Sequence, residues 1–176
     1  MNDPKSQADY IEQKDRFDKS IVKLFPDRLP NNMLRYGFSA PYNNIPGGLH
    51  LTTKYFSEKE YFEAKTKFLK QSKYYTKATD KCLFLVDEYE GMNQEKCKDF
   101  YPIPTLAIFE RDFYTESKTK QSASEVIFIE FKPGDYIKDN KNHSRLDLPE
   151  NWTHGYSTGV TTNDHERTIQ VWLLVW

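Results

Sequence analysis

Val171-Trp172-Leu173-Leu174-Val175-Trp176 is the stretch that decides the fold: six apolar residues in a row, β-branched or aromatic or Leu, with nothing polar among them. A run this short and this uniformly apolar has no solvated face, so it reads as a strand covered on both sides. Such a strand needs neighbours, which predicts an internal member of a sheet. Working back from it, Tyr156 to Trp176 reads as a hairpin whose turn is Thr162-Asn163-Asp164-His165, a cluster of residues that favour turns. Cys82 to Val86, Leu106 to Phe109 and Val126 to Phe131 repeat the pattern of short apolar runs bounded by polar connections. No helical crossover separates these runs, so they are expected to pair mostly antiparallel.

The first half has a different period. Tyr10, Phe17, Ile21 and Leu24 recur at helical spacing, with Glu12, Asp15, Lys19 and Lys23 on the opposite face, which predicts a helix from Gln7 to Phe25 stopped by Pro26. Residues 26–48 hold four prolines, Gly37 and Gly47-Gly48, and read as an ordered, irregular connection pinned by Met33, Leu34, Tyr36, Phe38 and Tyr42. Leu49 to Phe56 alternates as a short strand. Ser57-Glu58-Lys59-Glu60 is a capping box, with Ser57 placed to accept from the Glu60 amide and Glu60 to reach back. The helix it opens should run to about Lys73, burying Tyr61, Ala64 and Phe68 beside Lys65. Lys59, Lys65, Lys67, Lys70, Lys73 and Lys77 read as a solvated lysine face; an anion-binding face is the sharper alternative. The expectation is one α+β domain over 1–176, with residues 1–6 as a flexible tether. Two main amphipathic helices pack on a mostly antiparallel sheet of about five to six strands.

Composition narrows the class. A chain of 176 residues fits a single domain able to bury its own core. Hydrophobic content is 38%, but twelve Tyr, twelve Phe and three Trp supply large buried areas from few residues. The charges nearly cancel, at −1, which speaks against nucleic acid as a partner. No run reaches the 18 or so apolar residues of a membrane helix, and Met1 to Gln7 has no signal-peptide core. The abundance of Lys, Asn, Tyr and Phe reads as bacterial. Cys82 and Cys97 are the only cysteines. An oxidising compartment leaves two readings open, a disulfide closing the loop between them or two partly buried thiols, and in a cytosol they stay reduced.

No phosphate loop, dinucleotide turn, nucleophile elbow or metalloprotease helix is present, so no catalytic residue, metal ligand or cofactor is assigned. His50, His143, His154 and His165 show no metal-ligand spacing. His154 and His165 flank the hairpin, and with Asp164 and Glu166 they form a candidate zinc or hydrolytic site; solvated turn residues are the plainer reading. Asp87, Glu88, Glu90 and Glu95 form an acidic loop that lacks the order of a calcium loop. Trp152 and Tyr156 suit a carbohydrate platform or, more simply, a lid over one end of the sheet. The binding candidates are therefore Trp152, Tyr156, His154 and His165.

One stretch carries a resemblance. Leu148-Pro149-Glu150-Asn151-Trp152-Thr153-His154-Gly155-Tyr156-Ser157-Thr158-Gly159, followed by Val171 to Trp176, resembles the C-terminal ends of small exported lipoproteins of Bacteroides-like bacteria. The resemblance implies a periplasmic or cell-surface location and a lipid anchor on a cysteine outside these residues. It implies no activity. The leading expectation is an exported, non-enzymatic binding protein with a protein partner, immunity proteins that neutralise toxins being one such class. The alternatives are a hydrolase using His154 or His165 with a nearby acid, and a carbohydrate-binding or structural module of the cell envelope.

Overall fold

The computed structural model describes residues 3–40, 46–78, 80, 82–86, 97, 99–103, 124–137 and 148–176. The apolar run at 171–175 lies within β8 (Thr168–Val175), which pairs with β7 (Gly155–Asn163) on one side and β2 (Gly47–Lys54) on the other. β1 (Met33–Ser39) flanks β2, while β6 (Ser124–Pro133) and β3 (Tyr74–Lys77) extend the sheet beyond β7. The order is β1-β2-β8-β7-β6-β3, and every neighbouring pair is antiparallel. This is the α+β architecture with an internal last strand.

Both faces of β7 and β8 are covered. On one face Val160, Val171, Leu173 and Val175 meet Tyr10 of α1 (Pro4–Asp15), Tyr61 of α2 (Glu58–Leu69), and Ile21, Val22, Phe25 and Leu29. On the other, Trp172 packs with Val126, Phe128 and Ile103, and Leu174 and Trp176 pack with Val86 and Leu148. Two-sided burial explains the unbroken apolar run in β8, because neither set of alternating side chains meets water. β7 is polar by sequence yet buried along its length. Its hydroxyls are used in part: Thr158 donates to the Trp172 carbonyl at 2.8 Å, and Thr161 accepts from the Trp172 indole at 3.2 Å. The second face carries a small layer of its own, β4 (Leu83–Leu85) and β5 (Tyr101–Ile103), paired parallel. Cys82 and Cys97 are joined, with Cα atoms 5.6 Å apart, so the disulfide closes the chain between these two strands.

Several sequence expectations shift. The helix expected over Gln7–Phe25 starts at Pro4, with Asp3 capping Ser6, and ends at Asp15; Pro4, Lys5 and Ser6, expected in the tether, therefore belong to the helix. Beyond it the Asp18 carboxylate accepts the Ser20 amide at 2.8 Å, and Ile21 and Phe25 bond back three residues, turning the chain. Those local bonds outcompete a continued helix, and the turned segment still delivers Ile21, Val22 and Phe25 to the core. It is fastened to α1 by the Tyr10 hydroxyl and the Lys14 ammonium, both donating to the Pro26 carbonyl.

The irregular connection expected over 26–48 contains a strand, β1, bracketed by Pro30 and Pro41 rather than interrupted by them. Tyr36 and Phe38 lie opposite Leu51 and Leu49, so the alternation that places them was present in the sequence. Tyr42 lies outside the described residues. The second helix stops at Leu69, not Lys73: the Lys73 amide donates to the Phe128 carbonyl, and β3 begins at Tyr74. Ser57 accepts the Glu60 amide as the capping box requires. The hairpin turn is Asp164-His165-Glu166-Arg167, two residues later than expected. Asn163 remains in β7, its side chain accepts the Glu166 amide, and Arg167 takes a positive φ of 51°. The strand expected at Leu106–Phe109 lies outside the described residues.

Candidate functional site

The four residues singled out for binding do not come together. Trp152 ends a 3₁₀ turn (Glu150–Trp152) and packs on Trp176, with ring centres 5.8 Å apart, while its carbonyl accepts the Trp176 indole N–H at 2.6 Å. Tyr156 is 2% exposed and sits on the helix-bearing face, edge-on to Tyr136 at 4.5 Å. Trp152 belongs to the cluster on the opposite face. The pair is therefore not an exposed coplanar platform of the kind a sugar ring stacks on; Trp152 covers one end of the sheet. His154 precedes β7 and His165 follows it, so a nine-residue strand, about 30 Å long, separates them. His165 is exposed, with Nε2 3.9 Å from Glu166. The two histidines therefore do not share a site, and the acid beside His165 is its neighbour Glu166. The acidic residues 87, 88, 90 and 95, and His143, lie outside the described residues. Among the described residues no three His, Cys, Asp or Glu side chains converge as a metal site.

The densest polar constellation lies elsewhere. Tyr61 and Lys65 are one helical turn apart on α2, so both point at the sheet. The turn after β7 places Asp164 beneath them, and the start of β6 adds Glu125. The Lys65 ammonium lies 2.7 Å from Asp164 Oδ1 and 3.0 Å from Glu125 Oε2, and the Tyr61 hydroxyl donates to the same Asp164 oxygen at 2.5 Å. Lys65 is 7% exposed and so does not belong to the solvated lysine face. Burial lowers the Lys65 pKa, but its bonds to Asp164 and Glu125 outweigh that and raise it above its ordinary value. Burial raises the Tyr61 phenol well above its ordinary range, and the hydrogen bond to Asp164 raises it further. For Asp164, burial opposes ionisation, yet the Lys65 and Tyr61 donors win and its pKa falls.

At neutral pH this cluster therefore holds a charged Lys65, a protonated Tyr61 phenol and an ionised Asp164, all committed to one another. None is poised as a nucleophile or a general base. What the arrangement does is fasten α2 across β6 and the β7–β8 turn. A second knot lies at the irregularity in β6 between Phe128 and Glu130, where Glu130 accepts the Lys132 ammonium at 2.8 Å, with Lys73 at 3.7 Å. The Tyr156 hydroxyl bonds the same carboxylate; burial first, then Glu130, raises its pKa.

The surface of α2 turned away from the sheet is differently built. Lys59, Phe62, Glu63, Thr66, Lys67 and Lys70 line a shallow groove of about 450 Å³. Phe62 is 45% exposed there, and Phe56, just ahead of the helix cap, is 81% exposed. The lysine spacing was legible in the sequence. The exposure of Phe62 was not, because Tyr61, Phe62, Phe68 and Leu69 offered more apolar residues than one stripe can bury. Compared with protein-family models, curated proteins and solved structures, the chain has no match in any of the three.

Proposed function

We propose that this is an exported, non-enzymatic bacterial binding protein that recognises a protein partner, with neutralisation of a toxin as an immunity-type protein the specific form of that role. The observation that carries the reading is the pair of phenylalanines left in solvent at the head of α2, Phe56 and Phe62, in a chain that buries large aromatic side chains on both faces of its sheet. Aromatic side chains supply much of the energy of protein interfaces when a partner covers them. The bonded Cys82 and Cys97 fit an oxidising compartment and so favour export.

The test is a pull-down from the native host with the full gene as bait, followed by mass spectrometry of bait and retained proteins. A single stoichiometric protein held by the wild type, and lost on Phe56→Ser with Phe62→Ser at an unchanged thermal midpoint, is the expected result. Retention of nothing by a correctly exported bait, or equal retention by the double variant, overturns it.

A further inference from the structure

We propose that the outward face of α2 docks an acidic segment of the protein partner, one that carries an apolar side chain for Phe62. This rests on the binding role just proposed and names the chemistry of the surface it uses. Lys59, Lys67 and Lys70 set three positive charges along the groove against the single negative charge of Glu63. Several lysines elsewhere are occupied: Lys14 by Asp27, Lys54 by Glu166, Lys65 by Asp164 and Glu125, Lys132 by Glu130. Among the described residues, Lys59, Lys67 and Lys70 take part in no ion pair, and all three are exposed.

The surplus is local, because the whole chain carries −1. A partner chosen by the average charge of this protein would not be acidic; one chosen by this groove would. From Lys59 to Lys70 the stripe follows helical spacing over three turns, about 16 Å of axis. That length matches roughly five residues of extended chain. Phe62, Glu63 and Thr66 lie between Lys59 and the Lys67–Lys70 pair, so the middle of the groove carries the aromatic ring and one carboxylate while its ends are cationic. An aromatic anchor flanked by charge gives affinity at the centre, with orientation and fast encounter from the rim. The lysine stems add apolar surface beside Phe62.

The experiment places a benzophenone-bearing residue at Phe62, and separately at Leu34 on β1, in the full chain expressed in its native host. Leu34 is exposed as well, at 57%, and serves as the control position. Irradiation followed by mass spectrometry identifies the peptide captured. Expected is capture from position 62 and not from 34, by a peptide of net negative charge. Purified protein carrying K59E, K67E and K70E together should bind that partner at least tenfold more weakly, chiefly through slower association. Wild-type affinity should fall as salt rises. The substituted residues are on the surface, so an unchanged thermal midpoint accompanies the loss.

A neutral or basic captured peptide, capture only from position 34, or unaltered affinity of the triple variant overturns this inference and leaves the binding role standing. Absence of any captured or retained protein overturns both. Sedimentation of the wild type, but not the triple variant, with vesicles of phosphatidylglycerol in phosphatidylcholine, without a protein partner, overturns it in favour of an anionic membrane surface.

Discussion

The indole of Trp172 lies across Gly159, its cross-strand neighbour, so closely that a Cβ on Gly159 would come within 2.8 Å of the ring. Trp176 sits over Gly155 in the same way, also at 2.8 Å. Each glycine is thus the floor of an aromatic side chain that seals one face of the sheet. Gly159→Ala is expected to destabilise the fold by about 2–3 kcal/mol, since the ring and the Ile127 carbonyl both stand where the methyl would go. Urea denaturation measures it, and a midpoint equal to wild type would show that the ring can move aside.

Lys65 is the second point of fragility. Lys65→Met keeps most of the stem but removes the ammonium bonded to both Asp164 and Glu125. The expected cost is about 1–2 kcal/mol, kept below that of a fully buried pair because the Asp164 side chain is 40% exposed. A double-mutant cycle with Asp164→Asn should return a positive coupling. Additive losses would mean that the two groups act independently.

Acid should act in two stages. Burial, with Arg35 adding, holds the His50 pKa below its ordinary 6.5, so its contribution is present above that value and is lost as pH falls through the lower folded value. Asp164, lowered from 3.8, contributes above that pH and is lost only in stronger acid. His50→Phe keeps a flat ring over Gly37 and removes the first stage, while Asp164→Asn removes the second. Stability measured against pH by denaturant titration resolves the two; an acid limb unchanged in both variants would assign it to other carboxylates.

Reducing the disulfide is expected to cost about 3 kcal/mol through the entropy of the loop it closes. A thiol assay on unfolded protein taken from the periplasm should find no free thiol. Two titratable thiols would remove the support that Cys82–Cys97 gives to export.

What the sequence revealed follows from how local each signal is. Val171 to Trp176 and the Ser57 cap announce themselves within a few residues, and both are where they were expected. The end of α1 was missed because Ile21 and Leu24 keep helical spacing while Asp18 quietly turns the chain. β1 was missed because prolines near its ends outweighed the alternation of Tyr36 and Phe38. The knot of Tyr61, Lys65, Glu125 and Asp164 could not be read at all: its members lie up to 103 positions apart, and only the Tyr61–Lys65 spacing is local. Trp152 and Tyr156, four residues apart in sequence, fall on opposite faces because a turn and a strand start intervene.

The pairing of β2 with β8 also sets a timetable for the molecule. The Thr53 hydroxyl donates to the Ile169 carbonyl 116 positions away, and the whole β2–β8 ladder spans comparable distances. Hairpins such as β7–β8 can close early, but β1–β2 must wait, as a separate piece with one bare edge, until the rest of the sheet exists. Folding through so many remote contacts belongs to the slow, millisecond-to-second regime. During that interval the matching apolar edge of β8 is open to any passing strand, so the hour of greatest danger for this protein is before it is native, when a chaperone would find its grip on Val171 to Val175.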